Sequence, residues 1–397
     1  MSGLQPASAP ASVIIDANAS AAPAAVALVG RKRNVAGPVI AILVVVGFFA
    51  LLVGGYLFIA LGAEVIAIGG IMATIPLAIV LLGIRWIDRW EPEPRPLLFL
   101  AFFWGAAGAV FIALLAGLII EGILTSQGVS SAEQDFLGTV FQAPIVEETA
   151  KGIGILLIFI FGRRYFDGPV DGVVYGATIA AGFAFTENIL YFGNELMNSG
   201  GVDGAVVGIF VVRGLMSPFA HVMFTSCTGL AIGLVARRRG GLGVFVAFIL
   251  GLVPAMLLHA LWNGASYIVG DNFLLYYVIV QVPLFVGGFI LVSRLRKQET
   301  KVTATRLGEY AAAGWFNADE ILALATPRGR RQALAWARQH GLHAVMRGYI
   351  TDSTKLAFVR QRLVSGQAVD GAQVEEQALL ASILTRRAAL QPVTATS

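Results

Sequence analysis

An all-α, polytopic membrane fold of about eight transmembrane helices, followed by a small cytoplasmic helical tail, is predicted by three features of this sequence. Only 13% of its 397 residues are charged, against roughly 25% in soluble domains. The mean hydropathy is +0.77, and the apolar residues come in repeated runs near the ~20 residues a helix needs to cross hydrocarbon. Clusters of Lys and Arg alternate with connections that have neither, the pattern the positive-inside rule produces.

Residues 1–36 are rich in Ala, Ser and Pro and close on Arg31-Lys32-Arg33, which predicts a disordered tail with a basic anchor. The run Val39–Leu61 is too long for the core of a cleaved signal peptide and is expected to be the first span. Val65–Ile84 is the second, after a turn at Glu64. Arg85–Pro96 is charged, carries Trp86 and Trp90, and has prolines at 92, 94 and 96. Alternate prolines forbid regular helix and tryptophan favours the headgroup layer, so an interfacial cytoplasmic loop is expected. Spans follow at Leu97–Ile120, Phe136–Phe161, Val170–Phe192, Ala205–Val235, Leu242–Val269 and Phe273–Val292. With eight spans, Arg31–Arg33, Arg85–Arg95, Arg163-Arg164, Arg237–Arg239 and Arg294–Lys297 share one side, which places both termini in the cytoplasm of a multi-pass cell-membrane protein. The domain division expected is 1–36, 37–293 and 294–397. The tail has apolar residues at helical spacing in Thr303–Ala313, Ala318–His340 and Gln377–Leu390. The net charge of +4 is accounted for by basic loops, so no nucleic-acid partner is expected. The single cysteine, Cys227, rules out an intrachain disulfide and a cysteine-rich zinc cluster.

The fourth span holds the feature that composition does not explain. Glu147, Glu148 and Lys151 lie within five residues of an otherwise apolar run, and a charge in hydrocarbon costs roughly 2.5–3.5 kcal/mol even on the mildest scale. Lys151 follows Glu147 by four residues and Glu148 by three, so it shares a helix face with both but neutralises only one. The next three spans also carry polar faces at a spacing of four: Glu187, with Asn188 beside it; Arg213, Ser217, His221 and Thr225; His259 and Asn263. Prolines 218 and 254 free backbone carbonyls nearby, tolerable only where the site is protein-buried or wet. A polar cavity among spans four to seven is expected. It holds three glutamates, Glu147, Glu148 and Glu187, against Lys151 and Arg213. A carboxylate left over from that pairing suits a general base for water activation, and His259 with Asn263, one turn apart, suits a carbonyl oxygen.

In order along the chain, Asp88…Glu91-Pro92-Glu93-Pro94, Glu147-Glu148-x-x-Lys151, Phe183-x-x-x-Glu187-Asn188, His221 and His259-x-x-x-Asn263 resemble the PrsW family of intramembrane proteases, within the wider Abi group that includes the type II CAAX prenyl endopeptidases. The resemblance covers residues 85–293. It implies peptide-bond hydrolysis by a glutamate-activated water, with Glu147 as base, Glu148 as its partner, His259 and Asn263 on the oxyanion side, and His221 matching the family's histidine. It also implies a membrane-anchored substrate, typically an anti-sigma factor, cut on its outer side. Lys151 stands four residues after Glu147, where the CAAX enzymes have an arginine five after, and Glu187 replaces their second-motif histidine. Both departures fit PrsW and speak against prenylated substrates. No cofactor is expected. Zinc held by His221, His259 and a glutamate is the open alternative, since these are legitimate ligands. A proton-coupled transporter, which also buries Glu, His, Lys and Arg, and a non-enzymatic scaffold are the rival classes.

Overall fold

The computed structural model describes residues 36–163, 165, 166, 168–236, 241–366 and 371–391. The N-terminal tail as far as residue 35, Arg31–Arg33, Arg164 and Arg237–Arg239 lie outside the described residues. Helices are the only regular elements among those described. The chain divides into two compact units, the second of which takes in Lys297–Ser397.

Helix α1, Ala36–Ile87, is kinked at one non-helical residue, Gly62, at φ 76° and ψ 163°. That conformation is open to glycine and costly for other residues. It breaks the helix two residues before the expected turn at Glu64, and each half is long enough to span. Among the described residues six helices are long and apolar enough to cross a membrane, where eight were expected. One of the six is α1 from Val44, taken undivided. Helix α5, Ala143–Phe161, is not among them, because Glu147, Glu148 and Lys151 make it too charged. Counting the two halves of α1 separately and adding α5 recovers the expected number.

Helix α2, Arg95–Phe103, begins where prolines 94 and 96 fix the entry. It continues through a π-helical stretch, Trp104–Ala109, into α3, Val110–Ser126. After α4, Ser131–Leu137, a second π-helical stretch, Gly138–Gln142, leads directly into α5. Helix α6, Pro169–Ser199, starts at Gly168, whose N–H donates to Asp171 Oδ2 at 2.8 Å, and stops at the left-handed Gly200. It is the centre of the unit: 78% of its most apolar stretch is buried within the protein, against 22% for α1. Two glycine contacts bring neighbours to its backbone. At Gly172 an added Cβ would lie 2.0 Å from Gly229 O of α8, Ala220–Val235, and at Gly182 it would lie 2.0 Å from Phe102 O of α2. Small residues let membrane helices approach this closely.

The expected sixth span is broken rather than continuous. It consists of α7, Gly204–Phe210, a π-helical stretch at Val211–Met216, and α8. The break falls at Ser217-Pro218-Phe219, where Ser217 donates both its N–H, at 3.1 Å, and its Oγ, at 2.7 Å, to Val212 O, and Tyr277 Oη donates to Met216 O at 2.6 Å. The seventh span, α9, Gly241–Asn263, ends six residues earlier than expected and is followed by a short α10, Ala265–Val269. Phe273–Tyr276 is α11, and Val282–Ala312 is α12.

In the second unit, α12 is joined by α13, Ala318–Ala325, α14, Pro327–Gln339, α15, His343–Val364, and α16, Ala372–Leu390. Ala318–His340, expected as one helix, is two, because Pro327 forces Thr326 to the extended conformation at φ −125° and ψ 143°. Thr326 then caps α14 by accepting the Gly329 N–H. Thr303–Ala313, expected as a separate helix, is the end of α12. Helix α15 had no counterpart in the sequence reading. Its buried residues Met346, Tyr349 and Leu356 pack with Leu307, Phe316, Leu324, Ile383 and Leu390.

Candidate active site

Glu147, Glu148 and Lys151 are all buried on α5, and the ammonium uses each of its three donors within the cluster. Lys151 Nζ lies 3.1 Å from Glu147 Oε2, 2.9 Å from Glu148 Oε1 and 3.2 Å from His221 Nδ1. It also sits 3.8 Å above the Phe183 ring, where the π face adds attraction for a cation. With Nδ1 accepting from Lys151, His221 carries its proton on Nε2 and donates it to Glu187 Oε2 at 2.9 Å. The same oxygen receives Arg213 Nη2 at 2.5 Å, and Arg213 Nε donates to Asn188 Oδ1 at 3.1 Å. The Arg213 guanidinium is stacked 3.8 Å over Tyr191. Glu147, Glu148, Lys151, Glu187, Asn188, Arg213 and His221, from three of the four expected spans, thus form one hydrogen-bonded network, and Ser217 and Asn263 bond backbone carbonyls outside it.

The two adjacent glutamates differ sharply in surroundings. Glu148 is fully buried and saturated: Oε1 takes Lys151 and His259 Nδ1, the latter at 3.1 Å, and Oε2 takes Thr225 Oγ1 at 2.8 Å. Glu147 has one hydrogen bond among the described residues, from Lys151, and His259 Nε2 lies 3.9 Å from its Oε2. Glu147 also lines a cavity of about 380 Å³. Glu187, Tyr191, Arg213 and Asn263 line it too, together with Thr139 and Gln142 of the π-helical stretch before α5. Glu148, Lys151, His221, Thr225 and His259 stand outside that lining. The site thus has a layer that faces the cavity and a layer that holds it in place.

Asn263 is anchored to the backbone: its Nδ2 donates to Thr139 O at 3.1 Å, a carbonyl in the π-helical stretch. One amide hydrogen is spent there and the other remains for a bound molecule. Gln142 and Thr139 were absent from the sequence reading. The signal available was that both are polar and lie in the apolar run that leads to Glu147.

Glu147, His221 and His259 each offer one ligand atom, all within 4.8 Å of one another. By type this is a set that catalytic zinc uses. The directions do not fit as well as the types. Lys151 Nζ already donates to Glu147 and to His221 Nδ1, while His221 Nε2–H is turned to Glu187. An ammonium stands where two of the three donors point, so an ion among them would have to displace it.

The description "PrsW family intramembrane metalloprotease" matches residues 93–288. A protein named Protease PrsW from Clostridioides difficile (strain 630) is 30% identical over 200 residues, 49% of this chain and 76% of that one. The chain belongs to the PrsW family. Protease PrsW of Bacillus subtilis (strain 168) is 28% identical over 194 residues, 49% of this chain and 80% of its own. Protease PrsW of Geobacillus kaustophilus (strain HTA426) is 29% identical over 158 residues, 38% of this chain and 61% of its own length. The PrsW match begins at Glu93, within the loop and after Asp88 and Glu91, takes in every candidate site residue, and stops short of the second unit. No solved structure gives a significant match.

Proposed function

We propose that this PrsW-family chain is an intramembrane endopeptidase in which Glu147 is the general base that activates water. The observation that carries the reading is the division between the two glutamates, since only Glu147 reaches the cavity. In the proposed reaction Glu147 takes a proton from a cavity water, and the oxygen bonds to the scissile carbonyl carbon. The oxyanion that forms is met by the free Nδ2–H of Asn263. His259, held through Nδ1 by Glu148, belongs to the oxyanion side of this proposal, with its Nε2 edge 3.9 Å from Glu147 Oε2. The C–N bond then breaks and Glu147 returns its proton to the leaving amine. Glu148, with Thr225, orients His259 and Lys151 rather than touching the substrate. Glu187, with Asn188, holds Arg213 at the cavity wall and His221 behind it.

The substrate class proposed is a membrane-anchored protein, an anti-sigma factor in particular, cut near the outer side. The orientation proposed puts both termini in the cytoplasm, from the basic connections. The wider kinship with the Abi and CAAX enzymes is retained on Glu147-Glu148 and His259-x-x-x-Asn263.

One observation favours a second reading, in which Glu147, His221 and His259 hold zinc: their ligand atoms converge within 4.8 Å. Bound zinc would polarise a carbonyl and ease deprotonation of water. Glu148 would then orient His259 as an outer-sphere carboxylate. We favour the metal-free reading because Lys151 occupies the donors. The test is cleavage of a single-span reporter protein in proteoliposomes. Glu147→Gln should lower the rate about 10²–10⁴-fold, the usual worth of a general base, while the protein still accumulates. Wild-type protein stripped with a chelator should keep its rate. Loss on stripping, restored by stoichiometric zinc, would transfer the site to the second reading. Full activity of Glu147→Gln would sink both.

A further inference from the structure

Residues 321–351 contain five arginines and two histidines and no Asp, Glu or Lys. One arginine, Arg330, is turned inward: Nε donates to Leu324 O and Nη2 to Thr354 Oγ1, both at 2.6 Å. The other four, Arg328, Arg331 and Arg338 on α14 and Arg347 on α15, are exposed. Arg328, Arg331 and Arg338 share one face of α14 with the exposed Ala335, and the buried Ala333 and Ala337 occupy another. None of the four side chains has a hydrogen bond or ion pair among the described residues. The remaining arginines of the unit do have carboxylate partners: Arg306 and Arg360 with Glu309, Arg362 with Glu375, Arg386 with Asp352, Arg387 with Glu320. The unit is therefore not basic at random. Its carboxylates are spent elsewhere, and its surplus positive charge is gathered on one helix face and the start of the next. Residues 297–397 hold thirteen Lys and Arg against eight Asp and Glu, a net +5, which exceeds the +4 of the whole chain.

A surface of arginines without lysines suits phosphate, because the planar guanidinium pairs with it through two donors. The chain itself selects the source of that phosphate. Helix α12 is the continuation of an apolar candidate span, Phe273–Ala312, and α14 begins fifteen residues after its end. Such a tether holds the arginine face at high effective concentration next to a bilayer. Leu322 on α13, whose carbonyl packs against Gly329 beside Arg328, is 63% exposed and offers an apolar contact at the edge of the face.

We propose that the arginine face of α14, extended by Arg347, binds the headgroup phosphates of anionic phospholipid in the leaflet next to the C-terminal unit. The test uses the full-length protein in nanodiscs of phosphatidylcholine, with and without phosphatidylglycerol, and reads amide hydrogen exchange. Residues 327–347 are expected to exchange on the order of tenfold more slowly when the anionic lipid is present. High salt should remove that difference, and so should the triple substitution R328Q/R331Q/R338Q, with α16 exchanging as in the wild type. Should the triple variant loosen α16 as well, the lipid and salt comparison on wild-type protein decides alone. Equal exchange in the two lipids overturns the proposal. So does protection conferred by added single-stranded DNA in neutral nanodiscs and not by phosphatidylglycerol, which would make the face a nucleic-acid surface.

Discussion

In the C-terminal unit Glu320 and Arg387 are buried together, at 4% and 6% exposure; in the membrane unit Glu147, Glu148 and Lys151 are buried at 9%, 0% and 0%. The first cluster is closed. Glu320 accepts the Tyr349 hydroxyl and the Asn317 N–H of its own helix cap, and Arg387 Nη2 donates to Trp315 O, Glu320 Oε2 and Tyr349 Oη. Arg387 Nε stands 2.9 Å from Glu320 Oε1 without hydrogen-bond geometry, so Nη2 carries those bonds. One carboxylate meets one guanidinium, and both are buried. The second cluster is open. Three glutamates face two fixed cations, and of the adjacent pair Glu147 and Glu148 the one with fewer donors lines the cavity. Buried charge is therefore weak evidence of function until its pairing and its access are known. A balanced, enclosed pair locks packing, whereas an unbalanced cluster beside a cavity leaves a group able to exchange a proton.

The sharpest way to break this contrast is Lys151→Met. Removing one partner of a buried pair costs about 3–5 kcal/mol, and here it strips the shared donor from both glutamates and from His221. Cleavage is expected to fall below detection and the membrane unit to unfold at lower temperature. Normal cleavage by a stably inserted variant would show that the ammonium does not organise the site. Arg387→Met tests the closed cluster. It should cost the C-terminal unit a similar ~3–5 kcal/mol, seen as faster exchange in α16, while the reporter is still cut. If cleavage disappears although the membrane unit melts normally, the second unit is part of the enzyme.

A third set of carboxylates lies outside the spans, in the loop before α2. Burial pushes the Asp88 carboxyl up to about 6, although the Glu93 N–H it accepts at 2.9 Å works against that. Burial and the neighbouring Asp171 hold Glu93 well above the usual carboxylate range, while Tyr175 Oη donates to it. A carboxyl raised in the folded state stabilises when protonated. Its contribution is complete below the unfolded value of 3.8 and is lost as pH rises through about 6. The docking of this loop should weaken over that interval by roughly 1–3 kcal/mol, and Asp88→Asn should flatten the dependence. Exchange rates of residues 88–94 from pH 4 to 7 would check it; an unchanged slope in the variant would remove Asp88 as the cause. The smallest effect is expected of Thr225→Val, which deletes one hydrogen bond to Glu148. About 1 kcal/mol of stability and a several-fold loss of rate should follow, with KM unchanged because Thr225 does not line the cavity. A raised KM would put Thr225 in contact with substrate instead.

Much of this was legible in one dimension. Charge in an apolar run is expensive wherever the run folds, so Glu147, Glu148, Lys151, Glu187, Arg213, His221 and His259 could be picked out before any coordinate was known. Their spacing of three and four assigned them to shared helix faces, and the apolar runs assigned those helices to a membrane. What sequence spacing does not carry is direction across helices. Adjacent residues on a helix point about 100° apart, and only the packing of α8 and α9 against α5 decided which glutamate would be saturated by Thr225 and His259 and which would face water. The π-helical stretch before α5, the carbonyl it lends to Asn263, and the break at Ser217–Phe219 are also tertiary outcomes, since each needs a partner from a distant segment. The C-terminal unit makes the same point. Thr326-Pro327 announces a break in any context, but which arginines would find carboxylates and which four would be left facing outward was decided by the packing of α14, α15 and α16.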